Sequence, residues 1–354
     1  MNKDSTLLLF SFSSSILICA GTKIFNFTFA LLLRNKCELA NFMSSIDVMA
    51  HCIPDLTYTL HKGSCGRIGV VGGSPEYTGA PYYAAISSLK FGADLTYVFC
   101  AQQAAAAIKA YSPEIMVVPV YDQEVDSNNS ALQLVDRVTQ YFPRLHALVL
   151  GPGLGRDPNI LRATERIIAC ALKVQLPLVL DADALFLLQS QQSLDVIRGN
   201  TRVILTPNIV EYKRLRTCVF GDDSKTKTTI GSKDDVELLA RALGGVTVVL
   251  KGEHDVVSNG SLTLVTNEIG GRKRSGGQGD VLAGSIATAC AWTRSSVEIF
   301  PHAAIFACTV VKIASRKAFN REFRAMTAPD IISVLGESFQ SIFPTLPVEV
   351  EAKI

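Results

Sequence analysis

Six residues, "SGGQGD" from Ser275 to Asp280, carry the strongest chemical signal in the chain. Glycines let a backbone approach a ligand closely and aim several N–H groups at one spot. A helix opening near Asp280 adds the positive end of its dipole. Together these make an anion hole suited to phosphate, and Arg272, Lys273 and Arg274 just upstream can add charge. Asp280 then stands beside whatever phosphate the hole holds. A carboxylate there can accept a proton from a hydroxyl attacking the terminal phosphorus. Phosphoryl transfer asks for little beyond positioning, charge neutralisation and one such base. The plainer alternative is that Asp280 only caps the helix. The segment is not a Walker A loop, because it lacks GK[ST]. No GxGxxG follows the first strand, and "GPGLG" places Pro152 second, so a Rossmann oxidoreductase is disfavoured.

Stepping along the chain from Gly66, apolar runs alternate with helix-spaced segments. "RIGVVGGS", "DLTYVF", "EIMVVPV", "HALVLGPGLG", "LPLVLD", "TRVILTPN" and "VTVVLKG" read as buried strands. "GAPYYAAISSLKFGA", "QQAAAAIKAY", the stretch around 132–141, "PNILRATERIIACALK" and "DDVELLARAL" read as helices. "DVVSNGSLTLV" holds an Asn-Gly between alternating segments, which predicts a hairpin. Two long apolar helices follow "SGGQGD". Continuous apolar strands separated by helices predict an α/β fold, with a mostly parallel central sheet covered by helices on both faces. No repeat and no linker interrupts it, so a single domain is expected. In such sheets ligands sit at the carboxyl ends of the strands. Glycine-rich or polar segments follow the strands there: "GGSPEYTGAP", "GPGLGRD", "DADAL", "TPNIVEYKRL", "KGEHD" and "SGGQGD". Any one of them can be an ordinary turn; the set predicts one site.

Composition bounds the remaining classes. With 354 residues, 48% of them hydrophobic, the chain can bury a sizeable core. Its 34 basic and 32 acidic residues nearly cancel, which argues against nucleic-acid binding through a general basic field. Nine cysteines are scattered without a CxxC pair, so a disulfide framework or zinc site is not expected and a reducing compartment is. Leu7–Leu33 is apolar and serine-rich, broken by Lys23, and fits a signal sequence, a targeting segment or a membrane anchor. Arginine is scarce for a mitochondrial presequence, and Met43 offers an alternative start. Residues 1–50 are read as an extension outside the fold, 51–345 as the domain and 346–354 as a tail. Mitochondrion and cytoplasm both remain as compartments.

The segments "GRIGVVGGSPEYTGAPYYAAISSLKFGADLTYVF", "YSPEIMVVP", "VLGPGLGRD", "LVLDADAL", "ILTPNIVEYKRL", "VVLKGEHDVV" and "GGRKRSGGQGDVLAGSIA" resemble, in that order, the ATP-dependent (S)-NAD(P)H-hydrate dehydratases. The resemblance runs from about Ile53 to about Phe343. It implies a ribokinase-like fold and an enzyme that uses ATP to return hydrated NADH or NADPH to the normal dinucleotide. By motif, it implies that Gly153 and Gly155 contact the hydrated nucleotide, together with Asn208, Ile209, Val210, Glu211, Tyr212, Lys213 and Arg214. It implies ATP contacts from Lys251, Gly252, Glu253, His254 and Asp255. The same holds for the loop of Gly270, Gly271, Arg272, Lys273, Arg274, Ser275, Gly276, Gly277, Gln278 and Gly279. Asp280 would touch the substrate. ATP is the co-substrate and Mg2+ is expected with it, although no dedicated metal cage is visible. A separate NAD(P)H-hydrate epimerase is the expected partner in the pathway, no nucleic acid is expected, and a homo-oligomer stays open. Where the family often has Gly and Trp in "DADGLW", this chain has Ala184 and Phe186, read as a packing change.

Other residues have plainer readings. His254 is expected to be exposed rather than catalytic, His302 to be a core histidine on an apolar helix, and Trp292 to pack. Asp181 and Asp183 follow a buried strand and can cap or help with Mg2+. Two rival functions stand: a ribokinase-like kinase of a small vitamin-precursor alcohol, and a nucleotide sensor without turnover. An acid kept beside an intact glycine loop speaks against the sensor.

Overall fold

The computed structural model describes residues 44–122, 127–221 and 227–343. Helix α1 (Ser45–Ala50) precedes β1 (Arg67–Val71), α2 (Gly79–Phe91), β2 (Leu95–Ala101), α3 (Gln102–Tyr111), β3 (Met116–Tyr121), α4 (Ser127–Thr139), β4 (Ala147–Leu150), α5 (Pro158–Lys173) and β5 (Leu178–Leu180). There follow α6 (Asp183–Leu187), α7 (Gln191–Ile197), β6 (Val203–Leu205), α8 (Ile209–Phe220), α9 (Lys233–Ala242), β7 (Thr247–Leu250), β8 (Val256–Ser258) and β9 (Thr263–Val265). The chain then enters α10 (Gln278–Trp292), α11 (Phe300–Glu322), α12 (Ala328–Ser333) and α13 (Leu335–Gln340).

The nine strands form one sheet in the order β3-β2-β1-β4-β5-β6-β7-β8-β9. Pairing is parallel from β3 through β7 and antiparallel for β7–β8 and β8–β9. Strands β4 to β7 are buried at every position, so both faces of the sheet are covered, as their unbroken apolar runs predict. The Asn259-Gly260 pair lies in the loop joining the antiparallel β8 and β9, the expected hairpin.

Strand order reverses between β1 and β4. The loops leaving their carboxyl ends therefore part in opposite directions and open a crevice there. They meet at its base, where Gly73 N–H donates to the carbonyls of Pro152 and Gly153 at 3.1 Å. Helix α10 aims its first turn at this end of the sheet. From Val281 to Ala291 every residue of α10 is buried. It packs on α2 so closely that a Cβ at Gly284 would lie 2.0 Å from the Ala84 carbonyl oxygen. A helix buried all round must be apolar all round, and one packed this closely must be small-sided. That is why the glycine loop runs straight into "VLAGSIATACA". Helix α11 is likewise a core helix: 78% of its most apolar window is buried within the fold.

The amino boundary needs correcting. Placing residues 1–50 outside the fold cuts through α1, which belongs to it. Ser44 caps that helix in a capping box with Asp47, Val48 and Met49 are buried, and Ser45 Oγ lies 3.0 Å from His302 Nδ1 on α11. His302 is thus a core histidine, and burial lowers its pKa. The apolar segment Leu7–Leu33 and the tail 346–354 lie outside the described residues. A chain starting at Ser44 should fold and retain full turnover. One starting at Arg67 should melt lower, because a buried Met49 alone stabilises by about 1.5–3 kcal/mol. Thermal melts and activity of the two truncations check this; an inactive 44–354 chain would place the preceding segment inside the catalytic unit.

Candidate active site

The glycine loop is held open at the head of α10. Gly277, the residue before the helix, has φ +89°, and no side chain caps the first turn, so its N–H groups face outward. A Cβ at Gly277 would meet the Tyr83 ring and the Ala328 methyl at 2.7 Å, so only glycine fits. Gln278 ties the loop together by donating to the Lys273 carbonyl at 3.0 Å and Ser275 Oγ at 2.9 Å. Upstream, Gly271 N–H donates to the Ser315 hydroxyl of α11 at 3.1 Å. The three basic residues are not equivalent. Lys273 Nζ donates to the Arg324 carbonyl, and Arg274 donates to the Gly271 carbonyl at 3.1 Å. Arg272 is exposed.

Below this hole sits a group of carboxylates around one lysine. Asp181, at the end of β5, accepts from Lys251 Nζ at 2.8 Å and from the Thr206 hydroxyl at 2.9 Å. Lys251 follows β7 and Thr206 follows β6, so three adjacent strand ends converge. Gly279 passes directly above: a Cβ there would lie 3.2 Å from Lys251 Nζ and 3.7 Å from Asp181 Oδ2. Asp280 is next in the chain and feels both. Burial raises its pKa well above the usual aspartate range, Asp181 pushes it further, and Lys251 pulls against them. Glu211 is also raised, first by burial and then by Asp181, with Lys251 opposing. Burial works against charge on Lys251, but Asp181, Glu211 and Asp280 together hold its proton more tightly than usual. The cluster carries more carboxylates than ammonium groups, and two of its acids are poised to take up protons.

Backbone strain marks the same place. Ala182, between Asp181 and Asp183, has φ +49°. A non-glycine residue held there costs of order 1–3 kcal/mol, and such strain gathers at functional sites. The twist lets Asp181 face Lys251 while Asp183 turns to the β4 loop, accepting from Gly155 N–H at 3.0 Å and from Arg156 Nε at 3.3 Å. The Arg156 guanidinium in turn lies 4.4 Å from the centre of the Phe186 ring. Arg156, Asp183, Phe186, Gln189, Glu211 and Arg214 line a pocket of about 160 Å³. Sequence reasoning missed Arg156 and took Phe186 for packing; their signal was the Arg-Asp closing "GPGLGRD" and the aromatic three residues past Asp183.

Helix α8 presents its first turn to the site. Asn208 caps it, accepting from Val210 and Glu211 N–H, while Glu211 accepts from Asn208 N–H at 2.8 Å. Ile209 and Val210 are apolar yet exposed, a surface suited to a flat ring. Lys213 and Arg214 are exposed as well. The Tyr212 side chain turns inward: its ring is fully buried and its hydroxyl donates to Asp235 at 2.8 Å, so it leaves only its main chain on the site's side. The side chain of Asp255 turns inward as well. It is buried, accepts from Gly252 N–H at 2.8 Å and pairs with Lys312 at 3.2 Å, so it staples the loop rather than reaching a ligand. Lys312 also donates to the Gly252 and Glu253 carbonyls. His254 is exposed, with Nδ1 2.9 Å from the Thr266 carbonyl. Trp292 packs on Phe91 and donates to the Cys65 carbonyl.

Among the described residues no three His, Cys, Asp or Glu side chains form a metal-holding group. Mg2+ needs only one or two carboxylates when phosphates supply the other ligands. Glu211 and the free oxygen of Asp181 fit that requirement.

Comparison with known proteins bears on this geometry. A sequence model of the Carb_kinase family, described as NAD(P)H-hydrate dehydratase, matches residues 68–336. The chain is 43% identical over 324 residues to the ATP-dependent (S)-NAD(P)H-hydrate dehydratase of Homo sapiens, covering 89% of each chain. It is 41% identical over 296 residues to the protein of the same name from Entamoeba histolytica, covering 82% of this chain and 92% of that one. Among solved structures, a ribokinase-like superfamily protein of Enterococcus faecalis superimposes with TM-score 0.66 at 21% identity, over 85% of this chain and 95% of that one. The ADP/ATP-dependent NAD(P)H-hydrate dehydratase of Bacillus subtilis, co-crystallised with ATP/Mg2+, gives 0.59 at 18%, over 84% and 97%. At these identities the superpositions establish the fold, which is ribokinase-like.

Proposed function

Since the chain belongs to the ATP-dependent (S)-NAD(P)H-hydrate dehydratases, we propose how its own residues divide that reaction. The enzyme is a hydro-lyase that restores NADH and NADPH from their S hydrates at the expense of ATP. The hydrate carries a hydroxyl on the ring carbon next to nitrogen, and hydroxide is a poor leaving group at neutral pH. Asp280 accepts the hydroxyl proton as the oxygen attacks the γ-phosphorus of ATP, and ADP departs. The ring nitrogen lone pair then expels phosphate by breaking the C–O bond. Loss of one proton from the adjoining ring carbon restores the double bond.

The N–H groups at the head of α10 hold the transferring phosphoryl group, and the loop Gly270–Gly279 covers the rest of the triphosphate. Lys251 balances the charge that builds beside Asp181 and Asp280. Glu211 and Asp181 would hold Mg2+, which supplies charge neutralisation along the phosphates. The exposed Ile209 and Val210, with the Arg156–Phe186 pocket, receive the hydrated nucleotide. A separate epimerase would supply the S form from its epimer, since one site built around one base handles one configuration. One observation carries this division: Asp280 is half-buried, one residue past the anion hole and beside the Lys251–Asp181 pair.

Incubation of the protein with the S hydrate of NADH, ATP and Mg2+ tests it. Absorbance of reduced nicotinamide should return with one free phosphate per turnover. A stable phosphorylated hydrate would instead mean a kinase that stops before elimination.

The basic loop gives a smaller test. An exposed charge contact is worth at most about 1 kcal/mol, so Arg272→Ala should raise the KM for ATP by up to about fivefold and leave kcat alone. Replacing Lys273 and Arg274 as well should cost more, because both side chains also brace the loop's backbone. Steady-state kinetics in ATP check both; an unchanged KM in the triple variant leaves only main-chain contacts to the nucleotide.

A further inference from the structure

At the opposite end of the sheet, where β4, β5 and β6 begin, lies a larger pocket of about 650 Å³. The proposed reaction uses none of its residues, and four-residue β4 separates it from the anion hole by about 13 Å of strand. Its walls are largely apolar, from Phe142, Leu145, Val174 and Pro177; Thr139 and Gln175 add neutral polar groups, and Arg202, Arg294 and His146 are its basic side chains. One acid, the exposed Asp136, also lines it. Behind His146 stands Arg67, whose carbonyl accepts from His146 N–H at 2.8 Å.

The charges here do not balance. Among the described residues none of Arg67, Arg202 and Arg294 forms an ion pair. Arg202 donates to the Arg294 carbonyl at 2.9 Å and Arg294 to the Ala291 carbonyl at 2.7 Å, which fixes both guanidiniums and leaves donors to spare. Arg67 Nε and His146 Nδ1 are buried atoms with no hydrogen-bond partner. The imidazole is pulled down to about 4 by burial, then by Arg294 and Arg67, with Asp94 opposing. Of the two, His146 lines the pocket, whereas Arg67 Nε lies against Gly63 behind it. A buried imidazole nitrogen lacking a partner, beside two arginines without ion pairs and apolar walls, is the pattern left for a ligand.

We propose that this pocket binds a small organic anion, with its phosphate or carboxylate on Arg202 and Arg294 and its apolar body against Phe142, Leu145 and Val174. An aromatic sulfonate, 8-anilinonaphthalene-1-sulfonate, is a suitable fluorescent probe. With the nucleotide site saturated by a non-hydrolysable ATP analogue, one probe should still bind per chain. Arg294→Ala should weaken it at least tenfold while hydrate turnover stays at the parent rate. Val174→Trp, on a side chain that is 59% exposed and so harmless to the core, should block the pocket by bulk and covers the case in which the arginine variant folds poorly. Competition by AMP or by decanoate then tells a nucleotide from an acyl source. Probe binding that the ATP analogue abolishes, or that both variants leave unchanged, overturns the assignment, whatever the fate of the catalytic reading.

Discussion

Asp280→Asn should bind the hydrate and ATP normally yet turn over roughly 10²–10⁴-fold more slowly, the usual loss when a general base is removed. Asparagine keeps the shape of the side chain and still suits the first turn of α10. It cannot take the hydroxyl proton. Stability should move the other way. The folded protein raises the pKa of Asp280, so the native state binds its proton more tightly than the unfolded chain does. Its stabilising effect is complete below the ordinary aspartate value of about 3.9 and is lost as pH rises through the folded value. At neutral pH the aspartate is therefore a burden, and the asparagine variant should melt above the parent. The gap should close as pH falls. If Asp280 were only a helix cap, turnover would survive the change and the melting gain would be absent. Calorimetry at two pH values, beside the kinetics, separates the two.

Lys251→Met should be nearly as damaging. Lys251 pairs with a buried Asp181 and lowers the pKa of Asp280. Removing one partner of a buried pair strands the other, at a cost on the order of 3 kcal/mol. Acid should narrow that deficit by protonating the carboxylates left behind. Activity should fall by about 10²–10³-fold, the scale seen when one electrostatic donor is removed from a reacting centre. The acid limb of kcat/KM should also shift to higher pH, because Asp280 loses its neighbouring cation. Normal activity with an unmoved limb would show Lys251 to be structural.

Much of the fold is written locally. Helix α5 begins with Asp157 capping and Pro158 first, and it ends at Lys173, as its sequence predicts. Helix α3 fills "QQAAAAIKAY" and no more. Helix α1 was legible too: Ser44 and Asp47 stand at capping-box spacing, though a fold boundary at residue 50 passes over them. What local spacing cannot show is which residues the sheet order brings together. Asp181 and Lys251 meet across 70 positions because β5, β6 and β7 lie side by side. The same holds for Arg156 on Phe186, and for the twist at Ala182 that aims two nearby aspartates at different partners. Tyr212 shows the converse. It lies inside a motif that touches the site, but alternate faces of α8 point to solvent and to core. Its position in the helix turns it to Asp235, while Glu211 one residue earlier stays at the pocket.

The central claim is that the acid at the head of α10 takes the substrate proton during phosphoryl transfer. Its most direct test is a single-turnover rapid-quench measurement of γ-phosphate transfer from ATP, with enzyme in excess over the S hydrate, across pH. The parent rate should rise with pH through an ionisation above the normal aspartate range. In Asp280→Asn the rate should drop at least a hundredfold and that ionisation should vanish from the profile. A variant that transfers phosphate within a few-fold of the parent rate, with the same pH limb, would contradict the account.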